Sequence, residues 1–274
     1  MNSKIILNQE IKSKVHFTDS ELISPTNPIS VNLIGAGGTG SKVLTALMEI
    51  NESLIALGHA GLQVRLWDDD IITSANLGRQ RFAESETGLY KSVALINRVN
   101  RFFGTSWKSE TVKFEKDRFE RFPENAKATI TVTCVDSVKA RFEVAEILKG
   151  KNEYRNYNNE PKYWIDMGNS QFTGQVLLST VGDIRQPKSE KYETVSNLPF
   201  VTEEFGELLK VSELEDNTPS CSLAEALEKQ DLFINSTLAQ MGSSLLWNLF
   251  RNGLTESRGF FLNLKNFQSQ PIKL

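Results

Sequence analysis

Residues 30–57 constrain the chain more than any other stretch. Ser30-Val31-Asn32-Leu33-Ile34 reads as a strand and runs straight into Gly35-Ala36-Gly37-Gly38-Thr39-Gly40. From about Ser41 to Leu57, Val43, Leu44, Leu47 and Met48 share one helical face, and Gly58 and Gly61 end the helix. A strand, a glycine turn and a helix make an anion site. Glycines admit a phosphate close to the backbone, and the helix's free N–H groups and dipole stabilise its charge. Gly35, Gly37 and Gly40 follow the G-x-G-x-x-G spacing, and Gly38 adds a fourth glycine. Taken alone, the turn also reads as tight strand–helix packing with no ligand. A second strand, Gln63 to Trp67, stops at Asp68-Asp69-Asp70. This βαβ unit implies parallel strands, and Asp68 stands where an acidic residue meets a ribose.

The pattern continues with a helix over about Leu89–Phe102, strands near Glu110–Phe114 and Ala128–Cys134, and a helix over Val138–Leu148. Strands at Tyr163–Met167 and Thr173–Val181 form the far side of the sheet. Helices follow at about Ser222–Lys229 and Phe233–Arg251, and the end, Gly259–Phe267, reads as a last strand. The fold class expected is α/β: a Rossmann-like, mixed but mostly parallel sheet with helices on both faces. The 274 residues read as one domain. Residues 1–30 form an N-terminal extension, a small strand or helix covering the sheet edge. Residues 182–219 are polar and lack periodic apolar positions, which predicts a long mobile or crossover loop.

Composition excludes several classes. The net charge of -3, with dispersed basic residues, argues against a nucleic-acid partner. Two cysteines and two histidines in no zinc spacing predict no zinc. No apolar run approaches the ~20 residues that span a bilayer, and the chain's first residues lack a secretory signal. A cytoplasmic protein without membrane contact is expected.

The segment Asp68-Asp69-Asp70-Ile71-Ile72-Thr73-Ser74-Ala75-Asn76-Leu77-Gly78-Arg79-Gln80 resembles the D-x-D-x-V-x-x-S-N-L-x-R-Q signature of the ThiF/MoeB adenylating superfamily, which includes the ubiquitin-activating enzymes. Lys91 follows at the expected distance, and Cys134-Val135-Asp136-Ser137 resembles the C-x-D-N element, with Arg141 five residues after the aspartate. Order and approximate spacing hold across residues 31–142, and weaker likeness reaches the helix at 233–250. The stretch ending Ala56-Leu57-Gly58-His59-Ala60-Gly61-Leu62 is similar to the ThiF-like member of the bacterial PRTRC cassette.

The resemblance implies adenylation: a carboxylate attacks the α-phosphorus of ATP and pyrophosphate leaves. Catalysis is then largely positioning and charge stabilisation. Arg79 and Lys91 would supply positive charge, and Asn76 and Gln80 neutral hydrogen bonds. Asp136 would hold Mg²⁺, and Asp68 the ribose. Asp70 would be a second metal-shell group or a cap for the turn. The implied substrate is the C-terminal carboxylate of a small ubiquitin-like, β-grasp protein ending in glycine, and the implied assembly a homodimer. Cys221 lies where thioester- or persulfide-forming members carry a cysteine, before a helix whose N-terminus would favour the thiolate. Its other reading is an inert buried thiol. The paired C-x-x-C ligands of many relatives are absent, as is a recognisable N-terminal arginine motif that reaches a neighbour's ATP; Arg81 is a candidate substitute. Two other functions stay open: a non-catalytic, nucleotide-gated scaffold and a dinucleotide-dependent oxidoreductase.

Overall fold

The apolar runs at 29–34, 62–67, 130–133 and 163–169 are buried at nearly every position, as parallel strands between two helix layers must be. A computed structural model describes residues 12–121, 127–150, 160–212 and 230–274. Its first half runs β1 (Lys14–Phe17), α1 (Ser20–Ile23), β2 (Ile29–Ile34), α2 (Gly40–Ala56), β3 (Leu62–Trp67), α3 (Lys91–Phe103), β4 (Lys108–Glu110), α4 (Lys116–Arg121), β5 (Ile130–Thr133) and α5 (Val138–Lys149). The second half runs β6 (Tyr163–Asn169), β7 (Thr173–Thr180), β8 (Glu193–Thr194), α6 (Val201–Glu204), α7 (Gly206–Ser212), α8 (Ile234–Asn252), β9 (Leu254–Thr255), β10 (Ser257–Asn263) and β11 (Gln268–Lys273).

The main sheet has the order β4-β3-β2-β5-β6-β7-β10-β11. The pairings from β4 to β6 are parallel, and those from β6 to β11 antiparallel. One face packs on α2, α3 and α8, with Leu44, Leu47, Leu95, Leu238 and Leu249 in its core. The other is sealed by Trp67, Phe119, Val144, Trp164, Phe200 and Leu209, from the sheet and from α4 to α7. The chain is thus a mostly parallel α/β fold with helices on both faces. No helix among the described residues is long and apolar enough to cross a membrane.

Several elements differ from expectation. β4 ends at Glu110 because the apolar residues after it pack instead of pairing: Phe114 lies against Trp67 at 5.2 Å and Phe119 at 4.6 Å between ring centroids. The C-terminal stretch is a hairpin, β10–β11, and not one strand. β11 is exposed along almost its whole length, so it carries no apolar alternation to read. β1 belongs to a separate small sheet with β8 and β9. Residues 182–212 carry β8, α6 and α7 and bury Ile184, Leu198, Phe200, Val201 and Leu209. Each short element contributes only one or two anchors, too few to form a period. Arg258 ties this segment to the sheet through the Pro199 carbonyl and Glu204. The expected helix at 222–229 lies outside the described residues. On α8, Leu238 and Leu249 are core, while Met241, Leu245 and Trp247 are partly buried against it.

Arg141 pairs with Asp166 of β6. It is 5% exposed and lies against Asp166, itself 1% exposed, with Nε 3.2 Å from both carboxylate oxygens. Its Nη2 donates to the Val135 carbonyl at 2.7 Å, and Thr133 Oγ1 donates to Asp166 at 2.6 Å. This pair holds the turn that carries Asp136. Removing one partner leaves the other charge buried and alone. Arg141→Met should therefore lower stability by about 3–5 kcal/mol in urea denaturation, and adding Asp166→Leu should restore part of it. A loss below about 1 kcal/mol would mean that the pair is solvated.

Candidate active site

Strand register assembles the site. Ile34 is level with Trp67 on one side and with Thr133 on the other. The residues that follow, Gly35, Asp68 and Cys134, therefore leave the sheet side by side at its carboxyl edge. Gly35 N–H donates to the Trp67 carbonyl at 2.9 Å, and Cys134 N–H to the Ile34 carbonyl at 2.8 Å. β2 is the point where the chain turns to β3 on one side and β5 on the other, the usual place for a ligand in an open α/β sheet.

The four glycines do different jobs. Gly35 has φ +96°, a conformation unsuited to other residues, and an added Cβ would lie 2.7 Å from the Cys134 carbonyl oxygen. A Cβ on Gly40 would collide with the Gly35 carbonyl, and one on Gly38 would lie 2.7 Å from the Asn235 side chain. Gly37 has no neighbouring atom within 4 Å of that position, so its backbone faces open space. Among the described residues no hydrogen-bond acceptor meets the N–H of Gly37 or Gly38. Three glycines let the turn close, and the fourth leaves room for a ligand.

Asp68 is bonded directly to this turn. Its Oδ2 accepts from Ala36 N–H at 2.6 Å and its Oδ1 from Asp70 N–H at 3.0 Å. Each oxygen keeps a lone pair for a further donor such as a ribose hydroxyl. Burial pushes its carboxyl up to about 6, against the pull of the Ala36 N–H and the Lys91 charge. Asp70 is engaged by a cation of the expected set. Its Oδ2 pairs with Lys91 Nζ at 2.7 Å, while the Lys91 N–H donates to the Asp70 carbonyl at 2.9 Å. Lys91 is 6% exposed and opens α3 instead of lying within it as expected. Ser92 fixes that helix start, its hydroxyl lying within hydrogen-bond distance of the Asp68 and Glu110 carbonyls. Asp69 is exposed.

A second group gathers on the other flank of the turn. Arg79 Nη1 donates to Gln230 Oε1 at 2.8 Å, and its buried Nε has no partner among the described residues. Lys42 Nζ donates to the Gly38 carbonyl at 3.1 Å and to the Arg79 carbonyl at 2.9 Å. Asn235 accepts from Thr39 Oγ1 at 2.8 Å and donates to Gln230 at 2.8 Å. Gln80 is buried with Oε1 unpartnered. Asn76 Oδ1 accepts from Thr73 N–H at 2.8 Å, so part of its amide caps its own turn.

Asp136 is exposed, two residues beyond the Cys134 carbonyl that touches Gly35. The Cys134 thiol is buried, and burial strongly disfavours its ionisation, so it is no nucleophile at neutral pH. Cys221 lies outside the described residues. The bonds thus link Asp68, Asp70, Lys91 and Arg79 to the glycine turn, and strand register brings Asp136 to the same edge. Lys42, Asp166, Gln230 and Asn235 have no counterpart among the expected residues. A cation in the first turn of a helix is the local anomaly that marks Lys42. The others pack from distant elements and leave no local signal.

Fold and site together define a Rossmann-like nucleotide-binding protein. The chain belongs to the ThiF family, whose family model matches residues 14–273. Solved structures share the fold. PaaA aligns with TM-score 0.57 at 14% identity, covering 89% of this chain and 72% of that one. Escherichia coli MccB with MccA aligns with TM-score 0.56 at 14% identity, covering 90% of this chain and 64% of MccB. The chain therefore spans less than two thirds of MccB's length. MccB with ATP aligns with TM-score 0.50 at 17% identity, covering 89% and 63%. No curated protein matches the chain.

Two outcomes follow. Gly37→Ala should leave stability within about 0.5 kcal/mol of wild type while weakening ATP binding at least tenfold by calorimetry. Gly40→Ala should destabilise the fold. Equal effects of the two would mean that Gly37 serves packing only. The fold also favours neutral Asp68. That contribution is complete below about pH 3.8 and is lost as pH rises through about 6. The stability of wild type relative to Asp68→Asn should fall over this window in urea titrations. A constant difference would mean that Asp68 ionises ordinarily.

Proposed function

We propose that this chain uses ATP·Mg²⁺ to adenylate the C-terminal carboxylate of a small ubiquitin-like, β-grasp protein. The observation that carries the reading is the hydrogen bond from Ala36 to Asp68, which fastens the glycine turn to the loop bearing Asp70, Asn76 and Arg79. One carboxylate beside an open backbone turn suits a ribose next to phosphates. The cations Lys91 and Arg79 suit the charge that a leaving pyrophosphate develops. In the reaction, a carboxylate oxygen would attack the α-phosphorus, the bond to the β-phosphate oxygen would break, and pyrophosphate would depart. Lys91 uses one of its three N–H donors on Asp70, which leaves two for phosphate oxygens. The Nε of Arg79, unpaired among the described residues, is a further donor whose burial an arriving acceptor would compensate.

Asp136 fits Mg²⁺ chemically. It is an exposed carboxylate at a strand end, and Mg²⁺ usually takes one or two carboxylates and fills its remaining positions with phosphate oxygens and water. Among the described residues no three acidic, histidine or cysteine side chains cluster as a metal cage, so Asp136 would hold the metal together with phosphate oxygens. Cys221 is proposed as the acceptor of the activated acyl group in a thioester. The likeness to the PRTRC member points to a partner encoded beside this chain and ending in glycine. MccB, which shares the fold, has been crystallised with ATP and with MccA, which supports room for a nucleotide and a second molecule on one such scaffold. We also propose that the protein acts as a homodimer.

The test is exchange of labelled pyrophosphate into ATP, dependent on the neighbouring glycine-terminated protein. Wild type should exchange, and Arg79→Ala should lower the rate by about 100-fold. Cys221→Ala should retain exchange but form no thioester on a non-reducing gel. Absence of exchange with wild type, or equal exchange by Arg79→Ala, would contradict the reading.

A further inference from the structure

Lys42 breaks a local rule. It is the third residue of α2, where the helix dipole opposes a positive charge, and the first turn carries no acidic residue. Thr39 does not cap the helix, because its hydroxyl is spent on Asn235. Two of the three Lys42 donors hold the carbonyls of Gly38 and Arg79. That places the ammonium between the glycine turn and the arginine loop. Burial above all, then repulsion from Arg81 and Arg79, pulls its pKa down to about 8, and among the described residues no carboxylate offsets this. The carboxylates of Asp70 and Glu86 are already taken by Lys91 and Arg98. Lys42, Arg79 and Arg81 therefore form a knot of positive charge with no counter-ion among the described residues. Beside it the buried Nε of Arg79 lacks an acceptor among the described residues, and the backbone of Gly37 stands open. A cost kept against local preference, next to an unfilled anion cradle, is the mark of a ligand site.

We propose that Lys42, with Arg81 beside it, binds the β- and γ-phosphates of ATP and so holds the pyrophosphate that leaves. The assignment rests on the ATP reading above but is independent of what is adenylated. A purely structural Lys42 would stabilise the free protein by its two carbonyl bonds. A phosphate-binding Lys42 burdens the free protein and is relieved by the anion.

Full-length protein is titrated with pyrophosphate, ATP and AMP, each with Mg²⁺, by calorimetry and thermal unfolding. Lys42→Met should keep or raise the midpoint of the free protein. It should weaken pyrophosphate and ATP about tenfold or more, as loss of a charged hydrogen bond does, and leave AMP unchanged. Lys42→Arg, which keeps the charge, should retain most of the pyrophosphate affinity. Unchanged pyrophosphate affinity in K42M would overturn the proposal. So would an equal loss for AMP, or a lowered midpoint for the free protein that K42R does not restore. Failure of the partner-dependent exchange, with pyrophosphate still bound through Lys42, would sink the adenylation reading and leave this one standing.

Discussion

The turn between β2 and α2 is so tight that a methyl group on residue 40 would strike the carbonyl of residue 35. This constraint organises the surrounding structure. Closure of the turn points α2 back over the sheet, where α8 packs against it and buries Asn235 behind Gly38. It also presents the Ala36 N–H to Asp68, so the end of β3 cannot move independently of the end of β2. Because Ile34, Trp67 and Thr133 are in register, one turn sets the height of three loops.

Polar groups around the turn fall into two kinds. Arg141 and Asp166 satisfy each other, and their buried bonds hold the Asp136 turn without needing a ligand. On the open side satisfaction is incomplete. Asp68 is largely desolvated against its preference to ionise, and among the described residues Arg79 has an unmet donor and Lys42 lacks a counter-ion. Interior polar groups are normally paired, so this imbalance among the charged groups on one rim of the glycine turn gives the site its electrostatic character.

Much of this was legible in the chain. The strand–glycine–helix unit, the acidic residue ending β3 and the ordered motif residues from Asp68 to Asp136 locate the site, because each lies where local sequence dictates local geometry. Roles were harder to read than positions. Asp70 reads as a cap or metal-shell group, but its ion-pair partner lies 21 residues on in Lys91, and the backbone bonds around the bridge between Ile71 and Tyr90 make them neighbours. Lys42 lay in plain view beside the glycines. Its meaning depends on the Arg79 carbonyl, 37 residues away, which no periodicity announces. Residues 182–212 read as a loop because their anchors are single buried side chains on very short helices.

The account's central claim is that one triphosphate occupies the space before Gly37, with Asp68 on its ribose and cations from both flanks on its phosphates. A crystal structure with a non-hydrolysable ATP analogue and Mg²⁺ tests it most directly. The account predicts phosphate oxygens within hydrogen-bond distance of the Gly37 and Gly38 N–H groups, Arg79 and Lys91, and the ribose on Asp68. A nucleotide bound elsewhere, or phosphates turned away from the glycine turn with Lys91 and Arg79 still engaged by Asp70 and Gln230 alone, would contradict it.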